Sequence, residues 1–100
     1  MLEKIIKGIK NLLNEENLTA QVSQKKGYEG DFIIPEIVVF KKVAYRVASI
    51  GLWAFNGCKS LTSITFQGTI AQWNEIDFGN RWNDEVPINV VHCTDGDVEI

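Results

Sequence analysis

The side chains able to do covalent or metal chemistry are few: one histidine, His92, two cysteines, Cys58 and Cys93, and thirteen carboxylates among 100 residues. A cysteine nucleophile needs an imidazole beside it to take its proton. His92 and Cys93 are adjacent in sequence, and successive residues of a strand point to opposite faces, so they form no dyad. Cys58 with His92 would require two residues at apolar, packed positions to meet in the open. Zinc needs three or four clustered ligands, which two distant cysteines and one histidine do not supply. Thr94-Asp95-Gly96-Asp97 has the look of half a calcium loop, but Glu99 lies too close to serve as the distal ligand. Asp77, Asp84 and Glu85 carry no sign of the paired carboxylates of a glycosidase. Gly51, Gly57 and Gly68 are isolated turn residues and not a phosphate-cradling loop. No catalytic residue, metal or cofactor is expected, and a binding or structural role is.

The stretch that organises the chain is therefore one that packs. Tyr45 to Phe66 reads YRVASIGLWAFNGCKSLTSITF, with apolar residues at Val47, Ile50, Trp53, Ala54, Phe55, Cys58, Leu61, Ile64 and Phe66. That spacing suits neither one helix nor one strand. It suits a coil: an extended piece, a turn, an apolar elbow, a turn at Asn56-Gly57, then a second extended piece. Leu61-x-x-Ile64-x-Phe66 has the spacing of a leucine-rich repeat strand.

Ser49 to Thr65, reading S-I-G-x-x-A-F-x-G-C-x-S-L-T-S-I-T, resembles the BspA-like leucine-rich repeats of bacterial surface proteins. Gly68 to Trp73 and Val90 to Asp97 are similar to the closing segment of such proteins. The resemblance covers roughly residues 18 to 100. It implies a mostly β fold with minor α: a short right-handed leucine-rich-repeat solenoid. It also implies a cell-surface or secreted location and attachment to a protein or glycan on host or neighbouring cells.

Composition bounds the remainder. A chain this long makes one domain with a modest core. Hydrophobic content of 45% with 23% charged residues is ordinary for a folded protein. A net charge of -3 gives no basic footprint, so nucleic acid is not expected as a partner. No apolar run approaches the roughly 20 residues that span a bilayer, so no membrane insertion is expected. Glu3 and the repeated lysines interrupt any signal-peptide apolar region in this chain. Two cysteines are too few for a disulfide framework, and buried free thiols are the simpler reading.

Taken in order, Leu2, Ile5, Ile6, Ile9, Leu12 and Leu13 fall on one face of a helix, with Lys4, Lys7, Lys10 and Asn11 on the other. An amphipathic helix over residues 2–13 is predicted, covering an open end of the repeats, although Gly8 costs it about 1 kcal/mol. Such a helix could also lie on a membrane surface, and the resemblance implies instead a strand over Gly8 to Leu13. The domain then divides as a capping helix and turn (1–17), lead-in strands and hairpin (18–47), and repeats with a C-terminal cap (48–100). Leu18 to Val22 and Tyr28 to Pro35 read as strands, and Ile37 to Phe40 with Val43 to Val47 as a hairpin turning at Lys41-Lys42.

Internal repetition can be counted. Ile76 follows Ile50, and Val90 follows Ile64, by the same 26 residues; Trp82 follows Phe55 by 27, which implies one inserted residue. Phe32, Ile34 and Val38 precede Ile64, Phe66 and Ile70 by a constant 32. Strands near Phe32, Ile64 and Val90 are thus expected side by side, in about two and a half coils. Their outward positions are Asp31 and Ile33, then Ser63, Thr65 and Gln67, then Asn89 and Val91. These carry the expectation of a partner-binding face, against the plainer reading of a solvated sheet surface or of an end-cap or spacer of a larger repeat protein. At the lower limit of repeat number, an uncapped end favours a homodimer.

Overall fold

Two residues decide how the chain begins. Lys7 and Gly8 both take positive φ, 50° and 80°, which is the backbone of a two-residue hairpin turn whose twist matches the flanking strands. The computed structural model, which describes residues 1–100, accordingly has β1 (Leu2–Ile6) antiparallel to β2 (Ile9–Asn14), with Leu2 opposite Leu13 and Ile6 opposite Ile9. The helix expected over residues 2–13 is not formed. Leu2, Ile6, Ile9 and Leu13 share one face of the hairpin, and Asn11 lies among them, buried, its side-chain amide donating to the Ile9 carbonyl at 3.0 Å. Ile5 is left exposed. Docked strands cover Leu2, Ile6, Ile9 and Leu13, which a short helix interrupted by glycine holds poorly.

The chain then alternates between two sheets. Thr19–Val22 (β3), Val43–Ile50 (β6) and Asp77–Phe78 (β8) run parallel in the first, with β2 and β1 continuing it beyond β3. Gly30–Ile34 (β4), Leu61–Phe66 (β7) and Val90–Cys93 (β9) run parallel in the second, closed on one side by the antiparallel Gly96–Glu99 (β10). Ile37–Phe40 (β5) returns against β6 as the expected hairpin, with Lys41 and Lys42 both at positive φ in its turn. One short helix, α1 (Ile70–Asn74), is set by the Thr69 capping box: Thr69 Oγ1 accepts from the Gln72 amide, and Gln72 Oε1 accepts from the Thr69 amide. Strands hold 48% of the residues, so the mostly β expectation stands.

Between the sheets lies one apolar cluster of 20 buried residues. Val22, Ile34, Ile50, Ile64, Phe66 and Val91 are among its fully enclosed members; each contributes roughly 1.5–3 kcal/mol of transfer free energy on burial. At the elbow the backbone is as regular as in the strands. Trp53, Phe55 and Gly57 donate to the carbonyls of Asn80, Trp82 and Asp84 at 3.0, 2.9 and 3.1 Å, a constant offset of 27 residues. Around these bonds Phe55, Phe66, Trp73, Phe78 and Trp82 form a chain of ring contacts 4.9–6.0 Å between centroids.

Candidate functional site

The second sheet presents the face expected to bind. Inward positions Phe32, Ile34, Leu61, Ile64, Phe66 and Val91 pack into the core, which leaves their outward neighbours free of that duty. Phe32 lies opposite Ile64 and Ile34 opposite Phe66, the 32-residue correspondence read from the sequence. Asp31 then stands beside Ser63, and Ile33 beside Thr65. The Ser63 hydroxyl donates to Asp31 Oδ1, and Thr62 Oγ1 reaches the same oxygen at 3.5 Å.

The third strand corrects the expectation. Ile64 pairs with Val91 and Thr65 with His92, an offset of 27 and not 26. A slip of one residue exchanges the two faces of a strand. Val91, expected outward, is 0% exposed inside the core, and His92, expected at an inward apolar position, is exposed. The residue inserted before Trp82 persists through β9, so the elbow offset of 27 was the better guide to register. Asn89 is exposed just before β9, its carbonyl accepting from the Ile100 amide at 3.0 Å. Gln67 is exposed just past β7, its amide donating to the Ile34 carbonyl at 2.9 Å.

The resulting cross-strand row is Ile33, Thr65, His92 and Asp97. His92 Nδ1 lies 2.8 Å from Asp97 Oδ1, which fixes the imidazole orientation. Hydroxyl, imidazole and carboxylate stand in sequence, but no hydrogen bond joins the Thr65 hydroxyl to His92, and neither of the two cavities in the molecule is lined by Thr65, His92 or Asp97. What the row offers is hydrogen-bond donors and acceptors on an open surface, with Asp97 and Glu99 acidic at the β10 edge and Asp31 at the opposite, β4 edge. No three His, Cys, Asp or Glu side chains converge in a metal-holding group.

Both cysteines are free thiols, Cys58 buried and Cys93 half-buried. Burial pushes the Cys93 thiol above its ordinary range, and the Asp95 and Asp97 carboxylates push it further. Such a thiol is a poor nucleophile at neutral pH.

No protein-family profile and no curated protein matches the sequence. Among solved structures, the fold is similar to that of a leucine rich cell surface protein from Faecalibacterium prausnitzii A2-165, with a TM-score of 0.69 and 22% identity. The similarity covers 95% of this chain and 24% of that one, so the chain spans about a quarter of that protein's length. The leucine-rich fold expected from Ser49 to Thr65 is therefore shared with a surface protein.

Proposed function

We propose that the chain is a short right-handed leucine-rich-repeat solenoid of about two and a half coils that acts as a non-enzymatic binding module at a bacterial cell surface. Its partner is a protein or glycan of a host or neighbouring cell. The observation that carries this reading is the division of labour in the second sheet. Phe32, Ile64, Phe66 and Val91 pack inward, so Asp31, Ile33, Ser63, Thr65 and His92 can vary in identity without disturbing the core. Two parallel three-strand ladders and an elbow ladder repeating at 27 residues support the coil. The similar protein is a cell surface protein, which supports the location.

A second reading has its own support. The chain matches only a quarter of a longer repeat protein, which favours a spacer or end unit with no ligand of its own. A binding screen against extracellular-matrix proteins and surface glycans separates the two, run with the intact chain and with Thr65→Arg. Saturable binding lost in the variant establishes the strand face as the site. A folded monomer that binds nothing leaves the structural unit.

A further inference from the structure

Charge is unevenly shared along the chain. Residues 1–47 hold eight of the ten basic side chains and six of the carboxylates, a net +2, which leaves -5 in residues 48–100. Within the basic half, three lysines gather at one place. Phe40 closes β5, and the ammonium groups of Lys4 and Lys41 each lie 5.5 Å from the centre of its ring. The two charges are at most twice that distance apart, close to the Debye length of about 10 Å at 0.1 M salt. Lys42 follows Lys41 in the hairpin turn between β5 and β6.

The turn is an unusual place for lysines. Lys41 and Lys42 both take left-handed backbone, φ 51° and 65°, where asparagine and glycine are at ease and lysine is strained. Strain of this kind collects at functional positions. The charges are also unbalanced. Lys4, Lys41 and Lys42 are exposed, and none of them makes an ion pair. Carboxylates close to them in sequence are engaged elsewhere. Glu3 alternates to the opposite face of β1 from Lys4 and pairs with Lys10 at 3.3 Å, and Glu36 accepts from Gln72 Nε2 at 2.6 Å. Two hairpins, far apart in sequence, thus bring like charges to one ring without a partner carboxylate.

We propose that Lys4, Lys41 and Lys42 form a binding site for a glycan that carries sulfate or phosphate esters, with Phe40 as the platform that gathers them. The residue type selects the anion. An ammonium is a compact point charge that suits a tetrahedral oxyanion, whereas the planar carboxylates of an acidic peptide are matched by the arginine fork. No arginine stands at the Phe40 ring. Number selects against a bilayer, because anionic lipid surfaces are held by clusters of about four to eight basic residues, and the whole chain is negative. The site shares no residue with the outward row of the second sheet, so either can fail without the other.

A heparin-derived hexasaccharide, and the same sugar chemically desulfated, are titrated into the intact chain at about 50 mM salt and followed by amide NMR. The expected result is saturable shifts at Lys4, Phe40, Lys41 and Lys42 with the sulfated sugar alone, weakening several-fold by about 200 mM salt. Lys41→Asn combined with Lys42→Gly should weaken binding by about tenfold or more while raising stability, because that pair suits the turn. Lys4→Gln should weaken binding by about threefold, the scale of one exposed charge contact. It leaves the turn untouched, so the test holds even if the turn variant rearranges. Lys59→Gln, at an exposed lysine elsewhere, should change nothing. No saturable binding, equal binding of the desulfated sugar, or an equal loss in Lys59→Gln overturns the proposal. Tighter binding of hexaglutamate, or of vesicles with about one part phosphatidylserine to three of phosphatidylcholine, also overturns it, in favour of an acidic peptide or a membrane surface.

Discussion

Phe55 donates its amide to the Trp82 carbonyl at 2.9 Å, and the two rings meet edge to face with centroids 6.0 Å apart. One pair of residues thereby ties the backbone ladder at the elbow to the aromatic core. Trp82 in turn touches Trp73 and Phe78. The elbow register and the closing aromatic cluster are set by the same contact.

Removing that ring should cost more than removing an equally large but more exposed ring nearby. Trp82→Ala is expected to lose about 2–4 kcal/mol through lost transfer energy and the cavity left among Phe55, Trp73 and Phe78. Trp53 is 41% exposed, and Trp53→Ala is expected to lose under about 1 kcal/mol. Urea unfolding of the two variants checks the order. Equal losses would remove the Trp82 cluster from its place in the stability of the fold.

Gly79 is a close-approach position. A Cβ built there would lie 2.3 Å from the Leu52 backbone nitrogen, and backbone cannot rotate away. Gly79→Ala should destabilise by about 3 kcal/mol or more, at the upper end of overpacking costs. Gly57 has φ +72° with open space around it, so Gly57→Ala should cost only about 1 kcal/mol of left-handed strain. Chemical denaturation of the pair distinguishes crowding from conformation.

What was legible in the sequence follows from which interactions are local. Leu61, Ile64 and Phe66 announce a strand by spacing, and their correspondence with Phe32 and Ile34 survives because the β5–β6 hairpin falls wholly between the two strands and leaves one constant offset of 32. The face of β9 was misread because Ile76 and Val90 repeat the 26-residue spacing by apolar type alone. Hydrogen bonding at the elbow carries 27 through to Val91. A hydrophobic count does not see such a bond. At the start of the chain, apolar residues on both arms of a hairpin imitate a helical face. The Lys7-Gly8 pair was the available signal, since glycine at the second turn position suits positive φ. The step beside β4, where the first sheet runs on through β2 and β1 and the second stops, had no sequence signal, because it arises from two sheets ending at different places.

Thiol reactivity should separate the cysteines. Cys58 is 6% exposed, and its thiol points at the Lys25 carbonyl 3.9 Å away, so it should react with a disulfide reagent only as the chain opens. Cys93 is accessible but its thiol is held above its ordinary range by burial and then by Asp95 and Asp97. Its labelling should be slow at neutral pH, rise only at pH above the ordinary thiol range and quicken in Asp97→Asn. One fast thiol at pH 7 in the native chain would contradict this assignment.

Tyr28 gives stability a defined alkaline dependence. It is 4% exposed, and burial raises its hydroxyl above the ordinary phenol range, more than the Lys10 hydrogen bond lowers it. The unfolded chain therefore releases this proton first, beginning near pH ~10. Between that pH and the higher folded value the folded state holds more protons, so stability falls as pH rises. The Tyr28 contribution is complete below about pH 10 and is lost above it. Tyr28→Phe removes both the titration and the two hydrogen bonds, and should cost about 1–3 kcal/mol at neutral pH. The difference in unfolding free energy between the wild type and Tyr28→Phe is expected to shrink as pH is raised past 10, because other titrating groups cancel in the comparison. A difference that stays constant across that range would mean the Tyr28 hydroxyl titrates alike in the folded and unfolded chain.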